Sequence, residues 1–264
     1  MQKEVVMIEV KEISFAVKQA KLVNDISLSV AAGEFLVIMG ANGAGKSTLL
    51  KMLSGALRPV SGDILFKGKK MNLYAKEELA KHRAVLSQHY HISFPMLARE
   101  IVMMGRYPYF DHRPTATDEA MVQSAMERMQ VLHLANRDYT TLSGGEAQKV
   151  QMSRVLSQIG EVDPRNHKML LLDEPVSHLD IKYQHQLLQE AKLLCMRNMA
   201  VIAVLHDVNL AMKYADRILF MKQGNLVASV SKNESVSSAL LKEVFDVDAA
   251  VYDMPGGVGK FVAF

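Results

Sequence analysis

The stretch GANGAGKST, residues 40–48, carries the residue types that bind phosphate. It fits the pattern G-x-x-x-x-G-K-[ST] and lies between an apolar run, FLVIM, and a helical run, TLLKMLSGAL. Glycines let the backbone curl so that successive N–H groups converge on phosphate oxygens, and the helix dipole adds to the attraction. We expect Lys46 to contact the β- and γ-phosphates of a nucleotide and Ser47 to bind Mg²⁺; a glycine-rich turn without a ligand is the alternative. The residues predicted to contact the nucleotide are Gly40, Asn42, Gly43, Gly45, Lys46, Ser47 and Thr48.

Two adjacent carboxylates follow an apolar run in the sequence MLLLDEP. Such a run predicts a buried strand, and α/β proteins bind their ligands at the carboxyl ends of strands. Asp173 is suited to hold Mg²⁺ directly or through water, and Glu174, on the opposite face of the strand end, is suited to accept a proton from attacking water. An acidic strand terminus is the alternative, and it fits poorly beside Lys46 and Ser47.

The stretch LSGGEAQKV, residues 142–150, offers almost no group suited to nucleophilic or acid–base chemistry. Ser143 is placed to cap a helix running through EAQKVQMSRVLSQ, which leaves its hydroxyl and the glycine N–H groups available to an anion. A helix N-terminus without a ligand is the alternative. Because residues 40–48 already cradle one triphosphate, a second phosphate clamp is useful only if it serves another nucleotide.

The pattern of apolar runs predicts an α/β fold for the elements that must position these residues. Three β-rich runs near the start are VVMIEV, LVNDISLSV and FLVIMG, and the later runs MLLLDEP and MAVIAVLHD are typical of parallel strands covered on both faces. From about residue 76 to residue 135 the pattern is mainly helical, which predicts an inserted helical subdomain. After His206 we expect a helix (NLAMKYA), two strands around a turn (RILFMKQGNLVASV), a short helix (SALLKEVF) and a β-like end (KFVAF).

The composition narrows the class of protein. Of the 264 residues, 49% are hydrophobic and 22% are charged, which is typical of a folded globular chain, and no apolar run approaches the ~20 residues of a membrane span. The net charge of +3 indicates no large basic surface for nucleic acid or anionic lipid. The one cysteine, Cys195, indicates a packing role in a reducing compartment. The first residues lack the pattern of a secretory signal, so we expect the protein to stay where it is made.

The combination of LSGGE with GANGAGKST, LLLDEP, SHLD and LHD resembles the ABC-transporter ATPases, and the resemblance covers nearly the whole chain. It implies a P-loop NTPase core with an N-terminal antiparallel β-subdomain and an inserted α-helical signature subdomain. Residues 1–264 would then form a single ATPase domain, with residues 1–88 and about 160–264 in the core and about 89–159 in the helical subdomain.

The resemblance also implies cofactors, a partner copy and further site residues. In the family, ATP and Mg²⁺ are sandwiched in a head-to-tail homodimer between the P-loop of one subunit and the signature loop of the other. Gln88 resembles the Q-loop glutamine near Mg²⁺, and His206 resembles the switch histidine that contacts the γ-phosphate; a buried core histidine is the alternative for His206. The other implied contacts are Ser143, Gly144 and Gly145 in the signature, Asp180 at the dimer interface and Phe15 against adenine.

Three positions depart from the usual family pattern. Glu146 stands where glutamine is commonest, Val176 replaces a usual threonine, and His178 replaces a usual alanine. None of these changes removes a phosphate or Mg²⁺ group. They leave activity in place and affect the tuning of the signature loop.

Residues 87–112, SQHYHISFPMLAREIVMMGRYPYFDH, resemble the corresponding part of the ATPases of type II importers for iron chelates, haem and cobalamin. Within that group, three features are most like those of hemin-import ATPases. They are LSGGE, LHDVNLA and the longer segment that precedes MLLLDEP. The resemblance implies haem uptake through two permease subunits, at the cytoplasmic face of the cell membrane, with a substrate-binding protein acting indirectly and no cargo contact with this chain. Ferric siderophore and cobalamin are alternative cargoes.

Candidate permease contacts are Tyr90, Met96, Met104, Arg106 and Tyr107, since methionine and tyrosine suit an adaptable docking groove; ordinary core packing is the alternative for each. His89 and His91 make a weak metal site because a third ligand is missing.

Other ATPases with a P-loop fit less well. A DNA-maintenance ATPase would need a long coiled-coil insertion, and translation-associated forms usually carry two cassettes in one chain. A small-molecule kinase would leave residues 143–145 unexplained. We therefore expect no nucleic-acid partner.

Overall fold

The computed structural model describes residues 5–88, 92–160, 167–177, 179–254 and 259–264. The strands are β1 (Val6–Val17), β2 (Ala20–Ala31), β3 (Phe35–Gly40), β4 (Ser61–Phe66), β5 (Lys69–Lys70), β6 (Arg83–Leu86), β7 (Met169–Asp173), β8 (Ala200–Val204), β9 (Arg217–Lys222), β10 (Asn225–Ser231), β11 (Ala250–Asp253) and β12 (Lys260–Ala263). The helices are α1 (Lys46–Leu53), α2 (Lys76–His82), α3 (Ala98–Met103), α4 (Ala116–Arg128), α5 (Gly144–Ile159), α6 (Ile181–Cys195), α7 (Val208–Tyr214) and α8 (Ser238–Phe245).

A six-stranded sheet in the order β10-β9-β3-β8-β7-β6 forms the centre of the molecule. Strands β9, β3, β8, β7 and β6 run parallel, and β10 pairs antiparallel with β9. Because parallel strands end at the same edge of a sheet, the loops after β3, β6, β7 and β8 open side by side. That edge receives the P-loop, Gln88, the two adjacent carboxylates and His206.

Alternating side chains of the central sheet face two different cores. In β3, Leu36 and Ile38 pack into a core with α1 and the N-terminal strands, whereas Val37 and Met39 pack into a second core with the helices on the other face. This period of two residues is what a strand covered on both sides requires, and it explains the nearly continuous apolar runs.

The second sheet, in the order β2-β1-β4-β5, is antiparallel and confirms the predicted N-terminal antiparallel strands. The register of β1 and β2 sets Phe15 opposite Val23, one residue beyond Leu22. The carbonyl oxygen of Leu22 lies against Gly45 of the P-loop. The end of this hairpin therefore lies beside the phosphate loop, with Phe15 half-buried next to it.

Helices α3, α4 and α5, which lie between β6 and β7 along the chain, pack against one another. The stretch that the sequence predicted to be mainly helical also contains β6, which pairs parallel with β7. A strand of four residues is too short to give a period-two pattern, and only pairing with β7 defines it. Strands β11 and β12 form a short antiparallel hairpin, and only its second strand was predicted from the sequence. The bounds of a separate helical subdomain stay a prediction.

Arg106 is buried, so the expectation that it contacts a permease is wrong. Its Nε donates to Asp118 Oδ1 at 2.9 Å, its Nη1 donates to the Ser157 carbonyl at 2.7 Å, and its guanidinium lies 3.9 Å from the centre of the Tyr109 ring. The side chain fastens α4 and α5 together from within. Cys195 is buried as well, and burial raises the pKa of its thiol to about 12, which fits the predicted packing role.

Asp118→Asn is expected to lower the free energy of unfolding by about 1.5–3 kcal/mol, the range for hydrogen bonds to charged groups. Burial disfavours the charge of Asp118, but hydrogen bonds from Thr115 and Arg106 together outweigh it and hold the pKa of this carboxyl below its ordinary value. This contribution to stability is present above the pKa of the unfolded state and is lost as the pH falls through the lower folded-state pKa. Urea unfolding at several pH values measures it.

The control is Asp111→Asn, which changes an exposed aspartate in the same region. It should leave the urea midpoint unchanged. Equal stabilities of wild type and Asp118→Asn at neutral pH would contradict the assignment.

Candidate nucleotide site

The loop between β3 and α1 depends on two glycines. A Cβ on Gly40 would lie 2.2 Å from the Met221 carbonyl oxygen, and one on Gly45 would lie 2.1 Å from that of Leu22. Gly45 also has φ of +97°, in the region that favours glycine. The loop is therefore held between β2 and β9 by close backbone contact, which fixes its curl before any ligand arrives.

The first turn of α1 points its free backbone N–H groups into this loop. The turn consists of Lys46, Ser47, Thr48 and Leu49, so its positive dipole end is not neutralised by an acidic side chain of its own. Asn42 and Gly43 are exposed at the tip of the loop. This arrangement presents a ready-made anion site at one helix terminus.

Lys46 is buried, and its Nζ donates to the carbonyl oxygens of Gly40 and Ala41 at 2.9 and 3.0 Å. Burial lowers the pKa of Lys46, and the carboxylates of Glu174 and Asp173 oppose that shift. Its hydrogen-bond partners are neutral carbonyls of the loop itself. A phosphate is a stronger partner for this ammonium than either carbonyl.

Asp173 ends β7 with only 6% of its surface exposed, and Ser47 Oγ donates to its Oδ1 at 3.1 Å. Burial raises the pKa of Asp173, and the hydrogen bond from Ser47 opposes this. A buried carboxylate beside a hydroxyl is the hard-oxygen donor set that Mg²⁺ prefers. The described residues contain no group of three or more His, Cys, Asp or Glu placed to hold a metal ion.

Glu174 is held by two donors from neighbouring strand ends. Gln88 Nε2 donates to Glu174 Oε2 at 2.6 Å, and His206 Nε2 lies 2.7 Å from Glu174 Oε1. An ionised carboxylate only accepts hydrogen bonds, so His206 Nε2 carries the hydrogen. Glu174 has φ of +49°, a strained conformation for this residue. Gln88 and His206, which were predicted from separate motifs, therefore both contact the carboxylate of Glu174.

The side chain of His206 is 45% exposed, which excludes the alternative of a buried core histidine. It follows β8, next to β7 in the sheet, while Gln88 follows β6 on the other side. Glu174 lies between them because its own strand lies between theirs.

The signature residues form the beginning of α5. Ser143 caps this helix, and a capping box with Glu146 joins the two residues: the Glu146 N–H donates to Ser143 Oγ at 3.3 Å, and Ser143 N–H and Oγ both donate to Glu146 Oε2 at 2.9 Å. The expectation of a free hydroxyl is therefore wrong in this conformation. The Ser143 backbone N–H, then its hydroxyl, hold the pKa of Glu146 below its ordinary value. Gly144 is exposed beside them.

Gln148 is a residue that sequence analysis missed. It lies one turn into α5, and its Nε2 donates to the Pro175 carbonyl at 2.9 Å, directly after Glu174. Nothing in a single sequence distinguishes this glutamine from a solvent-facing one. The contact fixes the signature helix relative to the carboxylate that we expect to be catalytic.

The remaining predicted residues are placed as follows. Asp180 is exposed, and its Oδ1 caps α6 by accepting from the Tyr183 N–H at 3.0 Å. Met96 and Met104 are half-buried, and Tyr107 is exposed. Met96 and Tyr107 line a groove of about 850 Å³ together with Pro95, Glu100, Met103, Phe110, Asp111, His112 and Pro114. His89, Tyr90, His91 and His178 lie outside the described residues. None of the helices in the described ranges is both long enough and apolar enough to cross a membrane.

Comparison with known proteins finds relatives over most of the chain. Two relatives described as "Hemin import ATP-binding protein HmuV" are similar over nearly their whole length. That of Bradyrhizobium diazoefficiens is 40% identical over 252 residues, which cover 95% of this chain and 92% of the relative. That of Rhodopseudomonas palustris strain HaA2 is 43% identical over 246 residues, which cover 92% of each chain.

Solved structures share the fold. An ABC transporter assigned to the metal-chelate type, in an inward-facing conformation, matches with a TM-score of 0.81 and 25% identity over 98% of this chain and 96% of that chain. A nucleotide-free ATP-binding cassette from an ABC transporter matches with a TM-score of 0.76 and 20% identity over 92% of this chain and 96% of that one. The family described as ABC transporter matches residues 23–177, more than half of the sequence. The chain therefore belongs to the ABC transporter family.

Proposed function

We propose that this chain is the ATP-hydrolysing subunit of a haem importer. The observation that carries the proposal is the position of Glu174, held between Gln88 and His206 and one residue beyond the Asp173–Ser47 pair. A carboxylate in this position is suited to take a proton from water next to a bound triphosphate.

Each residue has a defined part in hydrolysis. The P-loop N–H groups and Lys46 bind the phosphates. Glu174 accepts the proton of the attacking water, and the His206 N–H, which donates to Glu174, holds that carboxylate in position. Ser47, Asp173 and the Gln88 amide oxygen would hold Mg²⁺, which when bound neutralises charge on the phosphates. Phe15 would stack on adenine; it pairs with Val23, the neighbour of Leu22, whose carbonyl oxygen lies against the P-loop.

A head-to-tail homodimer explains the signature loop. Ser143 and Gly144 are exposed, and across the described parts of the chain no hydrogen bond or ion pair joins residues 143–145 to the P-loop. Ile181, next to Asp180 at the predicted interface, is 75% exposed and so is free to be covered by a second copy. A second copy would cover Ile181. Its own Gly144 and Gly145 would contact the phosphate of the nucleotide that is bound at the P-loop of the first copy.

Two permease subunits would dock on the groove lined by Met96, Met103 and Tyr107. The groove combines flexible methionines with the exposed ring of Tyr107 and the half-buried ring of Phe110, the composition of an adaptable interface. Docking would hold the ATPase at the cytoplasmic face of the membrane as a peripheral subunit. The cargo would pass through the permease without contacting this chain, delivered to it by a substrate-binding protein.

The cargo assignment is supported by relatives with 40–43% identity that are described as hemin-import proteins. To test it, the chain is reconstituted with its permease in proteoliposomes, and ATP hydrolysis is measured with haem, a ferric siderophore or cobalamin on the opposite side. We expect haem with its binding protein to stimulate hydrolysis most. Stimulation by siderophore or cobalamin alone would reject haem as the cargo but keep the ATPase.

A matched pair of variants tests the docking groove in the same assay. Tyr107→Asp should weaken binding to the permease about tenfold or more, the scale for a buried tyrosine anchor, and should abolish cargo stimulation. Leu73→Asp, which also changes an exposed apolar residue but outside the groove, should behave like wild type. Equal effects of the two changes would place the docking surface elsewhere.

A further inference from the structure

Arg83 is half-buried and has no ion-pair partner in the parts of the chain that the structure describes. Its Nε is buried and has no hydrogen-bond partner among the residues that the structure describes. Burial also lowers the pKa of this guanidinium. A buried N–H donor without a partner is unfavourable, so the Nε of Arg83 calls for an acceptor that the described part of the chain does not provide.

The Arg83 side chain lines a cavity of about 230 Å³ between α1, β4 and α2. Three further cations line the same cavity, Arg58, Lys70 and Lys76. In the described parts of the chain, only Lys70 of these four has an ion-pair partner, Asp63 at 2.9 Å. The cavity thus concentrates three unbalanced positive charges, as many as the net charge of the entire protein.

The floor of the cavity is apolar. Met52, Ile64, Met71 and Leu79 line it, and all four are buried. Its volume lies below the range of about 300–1,000 Å³ typical of sites for drug-sized ligands. The cavity therefore suits a small molecule with one anionic group and a compact apolar body.

This cavity is separate from the nucleotide site. Arg83 begins β6, whereas Gln88 follows the other end of that strand, and Met52 lies in the last turn of α1, whereas Lys46 lies in its first. The groove lined by Tyr107 shares no residue with it. Neither proposed site accounts for the buried Nε of Arg83, which has no partner among the residues described.

We propose that the cavity around Arg83 is a second ligand site, which binds a small organic phosphate or carboxylate with its anionic group on the guanidinium and its apolar body against Met52 and Met71. Arginine presents a planar fork of N–H donors that matches both kinds of oxyanion. Lys76 and Arg58 at the rim add long-range attraction. The ligand supplies the charge that the protein lacks at this place.

The test uses the full chain with MgADP saturating the P-loop, so that added anions do not bind there. Isothermal titration calorimetry then measures phenyl phosphate, phenylacetate and the neutral benzyl alcohol. We expect one site per chain for at least one of the two anions and no binding of the alcohol. Binding of phenyl phosphate alone identifies a phosphate site, and binding of phenylacetate extends it to carboxylates. Absence of binding by both anions would overturn the proposal.

Variants locate the site. Arg83→Met should weaken binding of the anion at least tenfold, Lys76→Met should weaken it several-fold, and Arg99→Met, at an exposed arginine outside the cavity, should not change it. Lys76 is exposed, so its replacement is not expected to disturb folding. Equal binding by wild type and Arg83→Met would place the anion elsewhere and overturn the proposal.

Thermal unfolding in anion-free buffer adds a second readout. Because Arg83→Met removes a buried Nε–H that has no partner among the described residues and keeps an apolar chain about as long as the arginine stem, the variant should melt no lower than wild type. Melting several degrees lower would mean that Arg83 is already paired within the protein, and would also overturn the proposal.

Discussion

Glu174→Gln is expected to lower ATP hydrolysis by about 10²–10⁴-fold while leaving ATP binding intact. Glutamine keeps the size of the side chain and one acceptor oxygen, but it cannot take a proton from water at neutral pH. It also cannot accept from both Gln88 and His206, whose donors lie 2.6 and 2.7 Å from the two oxygens of Glu174. The P-loop and Lys46 are unchanged, so the nucleotide still binds.

Three measurements separate these effects. Phosphate release gives the hydrolysis rate, equilibrium binding of ATP gives the affinity, and size-exclusion chromatography with ATP shows whether closed dimers accumulate, as expected when they form but cannot hydrolyse. The control is Glu119→Gln, at an exposed position on α4. Unchanged turnover in purified Glu174→Gln would remove Glu174 from the catalytic role.

The sequence could predict the parts of this site because each depends on local pattern. A glycine-rich loop between a strand and a helix predicts a phosphate site, and MLLLDEP predicts that Asp173 and Glu174 leave a buried strand on opposite faces. In the structure Asp173 contacts Ser47 of α1, whereas Glu174 follows the last residue of the strand and contacts Gln88 and His206.

The convergence of Gln88 and His206 on Glu174 could not be predicted from spacing. It depends on the sheet order β8-β7-β6, which sets the loops of both outer strands beside the central one. Residues 88, 174 and 206 are far apart along the chain, and no local signal reports which strands are neighbours. Only the resemblance to a family grouped them.

Two predictions that a side chain would be free to contact a partner molecule were wrong. Arg106 lies in a tract with tyrosines and methionines that suggested a surface, yet Asp118 and Ser157 satisfy it inside the protein. The hydroxyl of Ser143 is similarly occupied by Glu146, three residues away. In both cases the hydrogen-bonding capacity of the residue was predicted correctly. Its hydrogen-bond partner, however, depends on packing or on a side-chain conformation that the sequence does not specify.

Lys46→Ala and Gly144→Asp are each expected to lower hydrolysis by about 10²–10³-fold, the scale for losing one preorganised donor at a developing charge. Their mixture is expected to recover part of the activity. In a two-fold dimer, a mixed pair joins the intact P-loop of one variant to the intact signature of the other, which rebuilds one of two sites. With random pairing and independent sites, an equal mixture should reach roughly a quarter of the wild-type rate.

This complementation distinguishes a shared site from a solitary one because neither variant alone contains both halves. Gly144 has a φ outside the left-handed region and lies in the first turn of α5, where aspartate is favourable, so the helix should form and only anion binding should suffer. Gly144→Asp should therefore still bind ATP at its own P-loop. If Gly144→Asp alone hydrolyses ATP at the wild-type rate, or the mixture is no more active than its components, then each chain does not complete the nucleotide site of another.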